Sequence, residues 1–333
     1  MMLPTLSEYL QLAYQTKKIR DADLINLLTT IANATIQISE AVRQGGIIDL
    51  LGSAEQQNSQ GETQQTLDIY ANQVILSNCE ALGILSGMAS EEMETPYIAP
   101  SVLPKKRYLL LFDPLDGSSN IAINAPIGSI FSILVKPSSN LPTTAEDFLQ
   151  PGHQQIAACY ALYGPQTFFV LTIGYGTAGF TLDHKTNQFI LTHPAFNIPD
   201  NTTEFAINMS NQRYWEAPVQ RYIHELLSGQ IGSRSKNFNM RWVAAMVADV
   251  HRILMRGGVF AYPCDQRPTN RSGKLRLLYE ANPMAFLVEQ AGGLAYDGKN
   301  RIMAILPTTL HQRVAVFLGA KEEIEQLVDY HRA

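Results

Sequence analysis

The chain has 333 residues, 46% of them hydrophobic, and a formal net charge of −5 from 25 basic and 30 acidic side chains. That length supports a sizeable core and more readily two domains than one, and the acidic balance advertises no nucleic-acid surface. No uncharged apolar run reaches the roughly 20 residues of a membrane span, and MMLPTLSEYL lacks the basic start and apolar core of a secretory leader. Cys79, Cys159 and Cys264 are scattered, odd in number and without metal-ligand spacing, so a reducing cytoplasm is expected.

In chain order, Leu24, Leu27, Leu28, Ile31, Ile38 and Val42 recur at helical spacing over residues 23–44, and Gly45 and Gly46 end the pattern. Residues 52–65, GSAEQQNSQGETQQ, are polar and predict a mobile loop. A second helix follows on Leu67, Tyr70, Ala71, Val74 and Ile75. RYLLLF, IGSIFSILV, QIAACYALY, TFFVLTIGY and NQFILT read as strands separated by turn residues. The Pro-, Asn- and Thr-rich stretch HPAFNIPDNTTE (193–204) marks a boundary between domains at 1–196 and 197–333. Beyond it the pattern predicts helices at 214–228 and 241–256, a strand GVFAYP, a helix at 283–290 and a last helix near 321–330. Without strict βαβ alternation, the expected architecture is a layered α/β (α+β) fold of two domains. GYGTAG, with Gly174, Gly176 and Gly179, spells a dinucleotide fingerprint, but FTLDHKTNQFILT after it alternates and turns at Asn187. That predicts a hairpin where the fingerprint needs a helix. His251 reads as a packed helix residue.

The stretch LLLFDPLDGSSNI (109–121) sets the chemical question. Asp113 and Asp116 stand directly beyond an apolar run, where charge is costly unless a cation compensates it. Pro114 fixes the backbone and can leave the Leu115 carbonyl turned to the same ion. Carboxylates with a carbonyl suit Mg²⁺ or Mn²⁺. Gly117, Ser118, Ser119 and Asn120 then offer amides and hydroxyls, the composition of an anion nest. A metal beside an anion nest points to a phosphate ester. An Asp-capped turn accounts for this stretch, taken alone, equally well.

Further acids stand at the ends of apolar elements. Glu91 and Glu92 follow SGMAS, and by themselves read as a solvated loop. Glu280 follows KLRLL, near a helix that Asn282 can cap and Pro283 can open. Asp68 lies between Leu67 and Ile69, a first-turn position that favours acids in any helix.

FDPLDGSSNI, SEE, GKLRLLYEANPMAFLVEQAGG and MVADVHR resemble the motifs of class I fructose-1,6-bisphosphatase, from about residue 24 to about residue 320. The DPLDGS motif is shared with inositol monophosphatase-like enzymes, whereas the Lys274–Gly293 segment is far more specific. The resemblance implies a two-domain sugar-phosphatase fold, usually a homotetramer, acting on a sugar bisphosphate. It implies Glu91, Asp113, the Leu115 carbonyl, Asp116 and Glu280 as metal ligands for more than one Mg²⁺. It makes Asp68 and Glu92 the acids that handle the attacking water, and Glu62 a further acid on the mobile loop. Gly117, Ser118 and Ser119 would contact substrate beside Asp116. Asn208, Tyr262, Lys274 and Arg241 match positions that grip the distal 6-phosphate, Arg241 from a neighbouring subunit.

Trp242 stands where the family carries Tyr, and its indole N–H still donates. Ala122 replaces an acid that is not a family ligand. Family members are inhibited by AMP at the start of the first long helix. Here Asp21 and Ile25 fall on two threonine positions and Val135 on an arginine position, with only Arg107 and Tyr108 retained, so AMP sensitivity is expected to be lost. The alternatives are an enzyme that also accepts sedoheptulose 1,7-bisphosphate, an inositol-phosphatase-like monophosphatase, and a non-catalytic metabolite-binding relative. The monophosphatase reading leaves Lys274, Arg241 and Tyr262 with no second phosphate to hold.

Overall fold

The computed structural model describes residues 3–44, 53–57, 63–100, 107–138 and 141–333. Among these are seven α-helices: α1 (Leu6–Gln15), α2 (Ala22–Gln44), α3 (Thr66–Ala81), α4 (Ala217–Leu227), α5 (Met246–Arg256), α6 (Asn282–Gln290) and α7 (Lys321–Arg332). The larger of two mixed sheets has eight strands. Its spatial order is Gln188–His193, Thr177–Asp183, Thr167–Thr172, Ala157–Tyr163, Ile127–Val135, Tyr108–Asp116, Leu85–Ser90, Tyr97–Ile98. The smaller has five, in the order Asn239–Met240, Glu204–Ala206, Val259–Tyr262, Val316–Gly319, Leu294–Tyr296.

Side-chain alternation along the strands builds the layers. Ala157, Cys159 and Ala161 join a core with α1, α2 and α3, while Ala158 and Tyr160 turn to a second core with α5 and α6. In the smaller sheet Phe260 faces that second core, and Val259 and Ala261 face a third with α4 and α7. Both sheets are thus covered on both faces, which is why their strands read as nearly unbroken apolar runs. The expected layered α/β class is observed, with α5 and α6 sandwiched between the sheets.

Several expectations change. Within 52–65, where a mobile loop is expected, Ser53–Gln57 and Thr63–Gln65 pair as an antiparallel ribbon, and Glu62 lies outside the described residues. The helix expected from 241 begins only at Met246, because Ala244 takes a left-handed conformation (φ 69°) that breaks helical geometry. The helix expected at 214–228 is α4, preceded by a separate 3-10 turn, Met209–Tyr214. Helix α1 has a readable signal that hydrophobic periodicity passes over: Thr5 and Glu8 form a reciprocal capping box. GYGTAG runs from the turn after Thr167–Thr172 into the strand Thr177–Asp183, which pairs with Gln188–His193 as the expected hairpin about Asn187. His251 packs in α5 against the Tyr160 hydroxyl at 2.8 Å, and burial lowers its imidazole to about 4.

Candidate active site

Strand Tyr108–Asp116 does not stop at Phe112; both aspartates belong to it. Phe112 pairs with Phe131 and Asp113 with Ile130, but Asp116 pairs with Gly128, so a bulge sits between the aspartates. The extra residue re-aims the side chains, and Pro114 is tolerated there because a bulge leaves a donor unneeded. Leu115 N–H donates to Asp113 Oδ1 at 2.9 Å, and Ser129 Oγ donates to the Pro114 carbonyl at 2.7 Å. Gly117 has φ 82°, and a Cβ there would lie 2.5 Å from Ala245 Cβ. Only glycine permits both that conformation and that approach.

The other acids arrive from separate elements. Glu91 follows strand Leu85–Ser90, and its N–H donates to the Phe112 carbonyl at 3.1 Å. Asp68 is buried in the first turn of α3. Glu280 lies in a π-helical turn, Leu277–Ala281, a geometry that recurs at functional sites, and accepts the Arg276 amide at 2.5 Å. Asn282 does not cap α6: Ala281 holds that position, and the buried Asn282 Oδ1 has no hydrogen-bond partner.

Asp113, Asp116 and Glu280 each offer an oxygen within 4.8 Å of the others, all three side chains buried. Arg276, a buried cation that the sequence reading missed, lies among them, with Nη1 2.5 Å from Glu91 Oε1 and 3.8 Å from Glu280 Oε2. Its signal was the i,i+4 spacing to Glu280. Burial, then Glu91, Asp116 and Glu280, raise Asp113 well above the usual carboxylate range. Burial pushes Asp116 up to about 7 against the pull of the Val247 amide, and Glu280 up to about 7 against Arg276.

Asp116 also reaches the other side of the sandwich. The residue preceding α5, Ala245, has no side chain that can cap the helix, and Asp116 Oδ2 accepts the Val247 amide at 2.6 Å. A carboxylate at a helix N-terminus is favoured by both the free amides and the dipole.

A cavity of about 490 Å³ collects most of the sequence-predicted residues. Asp68, Glu91, Glu92, Asp113, Leu115, Asp116, Gly117, Ser118, Ser119 and Glu280 line it together with Asn208, Trp242, Tyr262 and Lys274. Ala244, Met246, Phe260, Leu275 and Arg276 also line it, and periodicity alone marked none of them. Trp242 stacks on Phe260 with ring centroids 6.0 Å apart. Arg241 does not line this cavity; its guanidinium is exposed and donates to Asn239 Oδ1 at 3.2 Å and to the Met240 carbonyl at 3.0 Å. The buried, all-oxygen donor set fits a hard divalent cation, whose charge offsets the repulsion that raises the carboxylates.

The fructose-1-6-bisphosphatase N-terminal domain family matches residues 5–194, and the C-terminal domain family matches residues 198–332. The chain is similar to Leishmania major fructose-1,6-bisphosphatase in holo form, at 35% identity and TM-score 0.92 over 100% of both chains. It is similar to the T-state of that protein at 33% identity and TM-score 0.87 over 100% of both chains. The apo form matches at 33% identity and TM-score 0.86, over 99% of this chain and 100% of the other.

The raised carboxylates make a prediction. Asp116 and Glu280 titrate at about 7 when folded, against 3.8 and 4.5 for the free groups, so between those values the metal-free folded state holds protons the unfolded chain has released. Their contribution to stability is therefore lost as pH rises through the window, and a divalent cation that replaces the protons restores it. The gain in Tm given by Mg²⁺ over chelator is expected to grow from about pH 5.5 to about pH 8, with proton release on Mg²⁺ titration near pH 6.5. Thermal melts and calorimetry in buffers of different ionisation enthalpy check this; a gain that ignores pH would separate these carboxylates from the metal.

Proposed function

The chain belongs to the fructose-1,6-bisphosphatase family and is a phosphoric monoester hydrolase acting on D-fructose 1,6-bisphosphate; we propose that the 1-phosphate is cleaved at the carboxylate cluster while the 6-phosphate rests at the Lys274 end. The observation that supports this arrangement is one cavity lined both by buried acids and by a lysine, an amide, a phenol and an indole. The family is metal-dependent. Asp113, Asp116 and Glu280, with Glu91 and the Leu115 carbonyl, would hold Mg²⁺ or Mn²⁺, more than one ion per site. Bound there, the ions polarise the phosphoryl group and acidify a water.

The chain's own groups do the rest. Asp68 and Glu92 take up the proton of the attacking water. Gly117, Ser118 and Ser119 present amide and hydroxyl donors to the phosphoryl oxygens. Lys274 supplies a point charge to the distal phosphate, and Asn208, Tyr262 and Trp242 supply neutral donors. The fructose 6-phosphate and phosphate released fit a role in sugar synthesis. We also propose a division between 1–196 and 197–333, and a reducing cytoplasm, for which three unpaired cysteines speak. Among the described residues no helix is long and apolar enough to cross a membrane.

Phosphate release from fructose 1,6-bisphosphate, sedoheptulose 1,7-bisphosphate and an inositol monophosphate, each with Mg²⁺, tests the reading. The first substrate is expected to be hydrolysed best, and preference for the inositol ester would overturn it. Asp113→Asn keeps the shape but removes one ligand charge. It is expected to lower kcat by orders of magnitude with the fold intact; most activity surviving in a metal-replete variant would rule out the metal reading.

Arg241 belongs to the same proposal. Its place directly after the exposed edge strand Asn239–Met240, outside its own chain's cavity, suits service to a neighbouring site in a homotetramer. Arg241→Ala is expected to raise KM and to lower kcat modestly. Mixing it with Asp116→Asn under subunit exchange should rebuild some sites of normal affinity; their absence, with exchange confirmed by mass, would place Arg241 outside any shared site.

Loss of AMP inhibition completes the proposal. Asp21 Oδ1 accepts the Asp23 amide at 3.1 Å at the start of α2, and Oδ2 accepts from Arg107 at 3.1 Å and from the Tyr108 hydroxyl at 2.6 Å. Burial raises the Asp21 carboxyl, but Tyr108, the Asp23 amide and Arg107 together hold it below its ordinary value. The donors that would meet a nucleotide phosphate are thus occupied by a carboxylate. Each charge-assisted hydrogen bond forgone costs about 1.5–3 kcal/mol, or roughly 10- to 100-fold in affinity. AMP at concentrations that saturate sensitive relatives is expected to leave turnover nearly unchanged; an inhibition curve with a micromolar midpoint and full loss of turnover would contradict this.

A further inference from the structure

We propose that Asp249, which lies outside the cavity, is a positioning residue whose carboxylate holds the strained turn 242–245 as a wall of the substrate site. The inference rests on the fructose-bisphosphatase reading above and extends it to a residue that touches neither substrate nor metal.

Asp249 sits in the first turn of α5 and is 1% exposed. Its Oδ1 and Oδ2 lie 3.0 Å and 3.3 Å from the Val243 amide, and the Ala244 amide donates to the same carboxylate. These amides offset the burial that pushes the carboxyl up to about 7. Ala244 has φ 69°, a region that residues with a β-carbon seldom enter. Such a residue persists where its surroundings over-determine it. Ala245 brings no side-chain acceptor, so the turn has no local cap of its own. The Val243 carbonyl is held from the opposite side, by Asn120 Nδ2 at 3.0 Å, in the loop that follows Asp116. The turn is therefore pinned between the metal-side loop and α5.

What the turn carries is substrate-facing. Trp242, Ala244 and Met246 all line the cavity. A turn released at Val243 and Ala244 would let the indole leave its stack on Phe260 and would widen the distal pocket. Such a wall contacts ground state and transition state alike, so its loss acts on KM more than on kcat.

Steady-state kinetics on fructose 1,6-bisphosphate, at saturating metal and with Tm recorded for each variant, tests this. Asp249→Ala is expected to raise KM about tenfold, the size of effect that follows when hydrogen bonds to one charged acceptor are lost. The change in kcat should stay within about threefold. Asp249→Asn, which keeps one acceptor oxygen, should lie between. Adding Ala244→Gly to either variant should bring KM back toward the wild type, because glycine adopts this φ unaided. An unmoved KM, a loss confined to kcat, or a raised KM that Ala244→Gly does not lower would each overturn the proposal. Should Asp249→Ala fail to fold, Asp249→Asn with and without Ala244→Gly carries the same test. If the wild-type chain released no phosphate from this substrate, the functional reading would fall instead. Amide exchange at Val243 and Ala244 would then judge the hold by itself: faster exchange in Asp249→Asn supports it, and unchanged exchange overturns it.

Discussion

Buried carboxylates that cannot all be charged at once are the constraint on which the rest of this structure depends. Asp113, Asp116 and Glu280 crowd within 4.8 Å, with Glu91 close enough to raise two of them. Arg276 supplies one positive charge, too few for that many acids. Each acid is therefore held by a local backbone irregularity: a bulge for the aspartates, a π-helical turn for Glu280, a strand end for Glu91. A regular strand alternates its side chains, and a regular helix spreads them around an axis. Neither would aim so many carboxylates at one point, so the irregularities are the means by which two ordinary sheets make one charged site.

The same crowding ties the halves of the molecule together. Asp116 comes from the larger sheet, yet its oxygen is the acceptor for the first amides of α5. Gly117 lies against Ala245 so closely that no other side chain fits. Asn120 then binds the Val243 carbonyl. Three consecutive features of one loop thus grip one helix start. The loop after Asp116 and the turn that carries Trp242 are thus joined by two hydrogen bonds and one close backbone approach.

How much of this was legible follows from how local each signal is. The long helices and the apolar strands were readable because burial on one or two faces imprints a period directly on the sequence. The acids were readable because charge at the end of an apolar run is unusual enough to ask for a reason. Arg276 was barely so, because within KLRLLYE only its i,i+4 spacing to Glu280 marks it, and its nearer partner, Glu91, lies far away in the chain. The late start of α5 was hidden for a different reason: Trp242 and Val243 fit a helical pattern, and only Ala244's left-handed backbone, held by Asp249, stops it. Asn282 misled because its type favours a cap, whereas the π-helical turn carries the helix back past it. In each case the deciding partner is distant in sequence or acts through backbone atoms, which sequence patterns do not display.

Among the described residues, the starts of α2 and α5 receive a carboxylate, one from the residue just before and one from elsewhere in the fold, and the contrast is instructive. At α2, Asp21 fills the position with help from Arg107 and Tyr108; the pair Arg107–Asp21 is half exposed, so its Coulomb energy is small, but the acceptor positions are filled whether or not the pair is strong. At α5, Asp116 fills the position from across the sandwich, and its carboxylate also lies within 4.8 Å of Asp113 and Glu280. An internal anion that occupies nearby donors competes with outside anions for them. One that holds a helix start while sharing a cluster with other carboxylates keeps the site open to a cation while stiffening it. The difference lies in what surrounds each acid: cations and a phenol at Asp21, fellow carboxylates at Asp116. The same local interaction therefore meets an incoming anion with competition at α2 and an incoming cation with attraction at α5.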